Sequence, residues 1–286
     1  MKELLKRILL FFPVKWQIFI NFRIRNGYFP NFEKPKSFNE KIQVRKLYDD
    51  NPLFVTCSDK YLVREFVGRK IGSEYLIPLL YVGEDLTVDI LKSLSRNYVV
   101  KTTHDSGNVF LVKENDNIDY NNIVHNIREA LKFDFGSMVH EPWYSKVEPK
   151  VIIEEMLLSE LDVIPNDYKF HVFNSKSGNT TVILGVDFDR FTASQSRSFF
   201  DEQGNSIEME IDYPNRKCKL PNIDNLNEMF KIAKILGSCF DYVRVDLYSV
   251  NNKIFFGELT FAMASGFAIF KSKEKDFEFG SYWEQS

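Results

Sequence analysis

The chain has few reactive or metal-binding side chains. Its 286 residues include three cysteines and four histidines. Cys57, Cys218 and Cys239 lie far apart without metal-ligand spacing. They read as reduced thiols of a cytosolic protein rather than as a disulfide framework. His104, His125, His140 and His171 are equally scattered, and no HExxH pattern stands ready for zinc. No GxSxG elbow marks a serine hydrolase. The net charge is −3 and no long basic run overrides it, which argues against nucleic acid as a partner. No apolar run near the N-terminus reaches the roughly 18 to 20 residues of a membrane span, because charges and Pro13 interrupt it, and the small-residue cleavage pattern of a signal peptide is absent too. Internal repeats and low-complexity linkers are also lacking.

What is present is an ordinary soluble composition, 44% hydrophobic and 27% charged, in a chain long enough for about two domains. The 27 phenylalanines fit thick sheets. Met1 to Tyr28 is basic and apolar: Lys2, Lys6, Arg7, Lys15, Arg23 and Arg25 are opposed only by Glu3. Two readings stand, amphipathic helices packed on the body of the protein or an interfacial helix resting on anionic lipid.

Tyr242 to Phe261 organises the rest. Val243, Val245 and Leu247 alternate with Arg244, Asp246 and Tyr248, the period of a strand with one buried face. After Asn251-Asn252-Lys253, Ile254 to Phe261 reads as a second strand. A three-residue turn pairs Val250 with Ile254, Asp246 with Glu258 and Arg244 with Thr260, and puts Val243, Val245, Leu247, Phe255, Leu259 and Phe261 on the core face. A two-residue turn would slip the register and separate the carboxylates. Opposed carboxylates repel by roughly 4 kcal/mol at about 4 Å and an effective dielectric of about 20. Arg244 offsets part of this, and a hard cation shared with phosphate oxygens would offset more. A solvated hairpin with a surface ion pair is the plainer alternative.

Upstream, FNEKIQVRKLY reads as a helix capped by Ser37 or Asn39, and SDKYLVREFVGRKIG as a second helix starting at Ser58 or Asp59 and ending at Gly72. Its Lys60 and Arg64 read as solvated. Tyr75 to Val82 is a short strand containing Pro78. In YVVKTTHDSGNVFLVK, Lys101 closes a strand beside a hydroxyl-rich loop containing Ser106 and Gly107, either a phosphate clamp or a plain hairpin. Tyr120 to Phe133 reads as a helix and Gly136 to Pro149 as a loop. VIIEEMLL ends a buried strand at Glu154 and Glu155, followed by Met156 and Leu157, suited to a purine ring or to a simple strand exit. DYKFHVF puts Asp167 and Lys169 on one face. Further antiparallel strands follow, Thr180 to Phe191 and Phe199 to Gly204, with Arg190 and Arg197 read as surface charges. Asn222 to Phe240 is a helix.

In combination, DKYLVREFV, VVK before a polar glycine loop, VIIEEML, DYKFHVF, VRVDLY and GELTF resemble the ATP-grasp superfamily in order and spacing. FNEKI, DKYLVREFVGRKIG, YLIPLL, DYKFHVF and VRVDLY…GELTF resemble more closely the TupA-like ATP-grasp family, found with bacterial surface-polysaccharide and teichuronopeptide synthesis genes. The resemblance runs from about Pro35 to Gly266. It implies an α+β ATP-grasp fold in which two subdomains with antiparallel sheets grip ATP. A basic helical region (1–58) would precede a small subdomain (59–149) and a large one (150–286) carrying the metal-binding hairpin.

The resemblance implies Lys101, Ser106 and Gly107 on the phosphates, Glu154, Glu155, Met156 and Leu157 as the adenine hinge, Asp167 for the ribose and Lys169 as a second phosphate ligand. Asp246 and Glu258 match the Mg²⁺ carboxylates, and Arg244 matches the arginine at the transferred phosphate. Thr260 stands where many relatives carry an amide metal ligand. Arg244, Lys169 and Lys101 would be catalytic. The expected function is an ADP-forming carboxylate-amine ligase acting on a surface glycan or its precursor, with a glycan kinase and a glycosyltransferase as alternatives. Its partner would be a small-molecule or glycan substrate, lipid-linked in one reading, and residues 1–28 would contact the inner face of the membrane if the interfacial reading holds.

Overall fold

The computed structural model describes residues 11–94, 97–114, 116–160, 164–189, 192–223 and 225–285. Its order is α1 (Val14–Asn26), α2 (Phe38–Tyr48), α3 (Leu53–Ser58), α4 (Val63–Lys70), β1 (Leu79–Gly83), α5 (Val88–Ser93), β2 (Tyr98–Thr102), β3 (Val109–Val112), α6 (Tyr120–Leu131), α7 (Phe135–Val139) and β4 (Val151–Glu155). The second half holds β5 (Asp167–Asn174), β6 (Thr180–Phe188), β7 (Ser196–Phe200), β8 (Ser206–Ile207), α8 (Leu226–Gly237), β9 (Tyr242–Val250), β10 (Lys253–Thr260) and α9 (Lys273–Ser281).

Two antiparallel sheets result: a four-stranded one in the order β1-β4-β2-β3 and a six-stranded one in the order β10-β9-β5-β6-β7-β8. β4, assigned from sequence to the second half, pairs with β1 and β2, so the chain passes to the large sheet only after Glu155. Period-two burial in β2 turns Tyr98 and Val100 onto α6, whose Ile123, Val124, Ile127 and Ala130 close the smaller core. Val99 and Lys101 are left on the opposite face.

The larger core lies against one face of the six-stranded sheet. Met229, Phe230, Ile232, Ala233 and Leu236 of α8 meet Phe170, Val172, Val243 and Val245, with the rings of Phe170 and Phe230 5.1 Å apart. Each fully buried apolar side chain there contributes about 1.5–3 kcal/mol. Gly237 sets the approach: a Cβ at that position would stand 2.7 Å from Val172 Cγ1.

The opposite face is divided along its length. Toward one end Phe38, Phe173, Tyr242, Phe279 and Trp283 pack edge-on or tilted, with ring centroids 4.9–5.6 Å apart. Arg45 of α2 is wholly buried among them and donates to the carbonyls of Tyr242 (2.9 Å) and Phe261 (3.0 Å), pinning the open end of the β9–β10 hairpin. The other end of the face is charged.

Several local expectations change. The hairpin turn holds two residues, not three: Asn251 (φ 50°) and Asn252 (φ 59°) adopt the left-handed backbone of a type I′ turn, and Lys253 faces Val250. A bulge at Gly257 then absorbs one residue, so Glu258 still faces Asp246 and Thr260 still faces Arg244. The two-residue turn also brings Phe256 opposite Leu247, so Phe256 rather than the expected Phe255 lies in the core. The helix expected from Ser58 or Asp59 to Gly72 is shorter: α3 ends at Ser58, Asp59 accepts from the amides of Tyr61 (2.7 Å) and Leu62 (3.1 Å) in the turn that follows, and α4 begins at Val63. Tyr75 lies in a 3₁₀ turn, and β1 begins four residues later. The expected loop 136–149 contains part of α7 and a 3₁₀ turn, Tyr144–Lys146. Ser37 is the cap of α2, in a capping box with Glu40.

Candidate functional site

The charged end of the large sheet's open face is built by alternation in four neighbouring strands. β9 supplies Arg244 and Asp246, β10 supplies Glu258 and Thr260, β5 supplies Asp167 and Lys169, and β6 supplies Asp187 opposite Asp167. Arg244 grips Asp246 with two bonds (Nε–Oδ1 2.6 Å, Nη2–Oδ2 2.7 Å) and reaches Glu258 Oε1 at 2.6 Å. Lys169 Nζ lies between Asp167 Oδ2 (2.6 Å) and Asp246 Oδ2 (2.7 Å). Thr260 Oγ1 donates to Glu258 Oε1 at 3.0 Å, so its hydroxyl orients the carboxylate. Opposite charges therefore alternate across the strands.

Burial makes this pairing obligatory. Asp246 is 2% exposed, and burial alone would raise its carboxyl; Arg244 and Lys169 outweigh that and hold it below the usual carboxylate range. Burial would likewise lower Lys169 and Arg244, but Asp167 and Asp246 raise the lysine, and Asp246 and Glu258 hold the guanidinium well above its ordinary value. His171, next inward on β5, is kept neutral by burial and by the nearby positive charges of Arg244 and Arg197. Glu258 differs, with a side chain 47% exposed at the edge of the cluster.

The small sheet presents a thinner counterpart. Lys101 Nζ donates to Glu154 Oε2 at 2.8 Å, and Arg64 Nη1 meets Glu154 Oε1 at 3.1 Å while Nη2 donates to the Ile77 carbonyl at 2.9 Å. Lys101 stays 22% exposed. At the strand exit the Glu155 amide donates to Pro78 O (3.0 Å) and the Met156 amide to Asn97 O (3.1 Å), which fixes the backbone leading to half-buried Leu157. Ser106 and Gly107 form an exposed tip, with Gly107 at φ 105°. The base of that loop is rigid: the Asp105 carboxylate accepts from Thr102 and Asn108, and His104 Nε2 lies 3.2 Å from two carbonyls at the end of α6.

Lys60 closes the base of the Ser106-Gly107 loop. Its ammonium donates to the carbonyls of Thr102 (3.0 Å) and Asp105, and burial lowers its pKa, with Asp105 and Glu258 opposing and Lys101 adding to the effect. Tyr144 also feels Glu258 and Arg244, although burial is the main cause of its raised pKa. Neither residue was a candidate from the sequence. Lys60 and Arg64, taken as solvated, both hold the site together. Arg197 is not a surface charge: it is buried, bidentate on Asp187 (Nη2–Oδ2 2.9 Å) and stacked 5.1 Å from the Tyr213 ring. Arg190 lies outside the described residues.

The donor set suits a hard cation. Two neighbouring carboxylates and a hydroxyl offer oxygen ligands of the kind that hold Mg²⁺, whose shell is usually completed by water and substrate phosphates. No cluster of three or more His, Cys, Asp or Glu able to hold a metal occurs among the described residues.

Two antiparallel sheets, each offering cationic and acidic side chains, are the framework of an ATP-grasp fold. The profile of the TupA-like ATPgrasp family matches residues 40–284, and the chain belongs to that family. One solved structure agrees on the fold. The D-alanine–D-alanine ligase of Helicobacter pylori superposes with a TM-score of 0.50 at 13% identity, over 85% of this chain and 66% of that one. The corresponding ligase of Bacillus anthracis gives 0.40 at 18% identity, over 72% and 57%, and the ATP-grasp ligase PsnB 0.42 at 10%, over 82% and 61%. The chain thus spans 57–66% of the length of these structures. Among curated proteins, none matches the sequence.

Proposed function

We propose that the protein is an ATP- and magnesium-dependent, ADP-forming ligase that joins a carboxylate to an amine through an acyl phosphate, acting on a bacterial surface polysaccharide or its precursor. The observation that carries this reading is the Asp246–Glu258 pair, gripped by Arg244 and flanked by Lys169, with Lys101 paired to Glu154 on the other sheet. The substrate class rests on the family's association with surface-polysaccharide synthesis.

In this reading the acceptor carboxylate oxygen attacks the γ phosphorus and the bond to ADP breaks. The amine nitrogen then attacks the acyl carbon, phosphate leaves, and the amine gives up a proton. Lys101, Lys169 and Arg244 neutralise charge on the transferring phosphoryl group, so positioning and electrostatics do most of the catalysis. Asp246 and Glu258 would hold Mg²⁺, with Thr260 orienting the second carboxylate; the ion supplies further neutralisation of phosphate charge. Glu154 keeps Arg64 as a partner when Lys101 turns to phosphate, so that move leaves no bare buried acid. The adenine would lie against Met156 and Leu157. The exposed Ser106-Gly107 tip is the candidate lid that keeps water from the acyl phosphate.

The test is calorimetric titration of the full chain with ATP, with and without magnesium, followed by mass spectrometry of products from candidate glycans. Magnesium-dependent uptake, ADP formation requiring both acceptors and a product lighter than its two components by one water support the reading. A phosphate gained on the glycan makes the protein a kinase, and AMP with pyrophosphate, or no magnesium-dependent uptake, overturns the assignment.

A further inference from the structure

The N-terminal helix carries a surface that the nucleotide chemistry does not use. α1 buries only Gln17, Ile18 and Phe22 against the body. Its outer side exposes Trp16 by 56% and Ile24 by 61%, and Phe29, just beyond its left-handed Gly27 cap, by 67%. These form a continuous ledge: Trp16 lies 5.8 Å from Phe19, Phe19 5.9 Å from Phe29, and the Arg23 guanidinium stacks 5.1 Å from the Phe29 ring. Phe11, before α1, is 90% exposed.

Charge separates this region from the rest of the molecule. The described residues 11–28 hold Lys15, Arg23 and Arg25 and no acid, +3, in a chain whose total is −3, so the rest of the chain carries −6. An acidic soluble protein gains nothing for solubility from concentrating its positive charge among exposed aromatics. An anionic bilayer surface is complementary on both counts, because Trp and Phe settle at the headgroup level while Lys and Arg meet anionic lipid. The basic excess also argues against a second copy of the same ledge as the occupant, since two such surfaces would repel.

We infer that the α1 ledge docks the protein on an anionic membrane surface. The ledge joins the body beside the turn that leaves β10 after Thr260: Arg25 stacks 4.7 Å from the ring of Phe267, and Lys46 holds that turn through Ser265 O at 2.9 Å. Docking there would hold the enzyme at the surface where an acceptor anchored in lipid is found. That consequence rests on the ligase reading; the docking itself does not.

The experiment is flotation of the full chain, without nucleotide, on vesicles of phosphatidylcholine alone and of phosphatidylcholine with phosphatidylglycerol. The protein is expected to float only with the anionic vesicles and to be released by high salt. Trp16→Ser/Phe29→Ser and Lys15→Glu/Arg23→Glu change exposed side chains. Each pair is expected to keep the parent melting temperature and to lower partitioning at least about tenfold. Truncation is a poorer probe, because the Tyr28 hydroxyl bonds Ser37 (2.7 Å) and Asp276 (2.8 Å) within the fold. No flotation on either vesicle, parent-like flotation of both double variants, or a dimer in light scattering that the same substitutions dissociate overturns the proposal. Because no nucleotide is present, failure here leaves the ligase assignment standing.

Discussion

The two sheets bring the same chemistry to the site on different terms. On the six-stranded sheet Lys169, Asp246 and Asp167 are sealed from water and committed to one another, and Arg244 has two acids to hold. On the four-stranded sheet Lys101 has one acidic partner, is partly solvated, and leaves Glu154 with a substitute in Arg64. In the proposed ligase one face would therefore be structural and catalytic at once, whereas the other keeps a second cation for its acid when Lys101 is engaged elsewhere. The contrast separates side chains whose loss harms both fold and activity from those whose loss harms activity alone.

The sharpest test of that contrast is Asp246→Asn. It leaves Lys169 and Arg244 buried without their shared counter-charge, and denaturant titration should find the protein about 3–5 kcal/mol less stable. ADP formation should fall by about 10²–10³-fold or more. A variant as stable as the parent would show that the cluster is not obligatory. Next comes a matched pair: Lys169→Met and Lys101→Met should each lower kcat/KM for ATP by about 10²-fold. Only the first should also cost about 3 kcal/mol of stability, against about 0–1 kcal/mol for the second. Equal stability losses would erase the distinction between the sheets.

Gly257→Val probes the bulge that sets the register. A Cβ there would stand 3.0 Å from both the Asp246 carbonyl and the Tyr248 ring, so about 1–3 kcal/mol should be lost, together with part of the activity. The smallest effect is in pH. Asp246, depressed in the folded state, contributes stability that is fully present above about pH 4, the ordinary carboxylate range, and is lost as pH falls through its lower folded value. Lys169, raised in the folded state, contributes below its ordinary range and loses that contribution as pH rises through its higher folded value. Melting temperature should change little from these groups between about pH 5 and 9. The acid limb should flatten in Asp246→Asn and persist in Lys101→Met.

The facing of Asp246 and Glu258 was legible in the sequence because alternation is a local property, yet the turn inferred for it was wrong. A two-residue Asn-Asn turn and a bulge at Gly257 together give the register that a three-residue turn would have given. A glycine in a strand is a weak sign of a bulge, and here that sign was the missing piece. Ser37 and its capping box were readable for the same local reason. Lys60, Arg64 and Tyr144 were not, since each reaches the site from a segment distant in sequence, and an isolated cation on a helix looks solvated until its partner is known. Arg197 misled in the same way, its partner Asp187 lying on the neighbouring strand. The pairing of β4 with β1 and β2 is likewise a matter of tertiary assembly.

The bonds from Arg45 to the Tyr242 and Phe261 carbonyls have a mechanical consequence. A guanidinium cannot be deprotonated in a protein, and this one is wedged 4.4 Å from the Trp283 ring, so neither alkalinity nor thermal jostling readily loosens it. The floor beneath Asp246 and Glu258 then behaves as an anvil, and adaptation to cargo of different shapes falls to the strands and tip that carry Lys101 and Gly107.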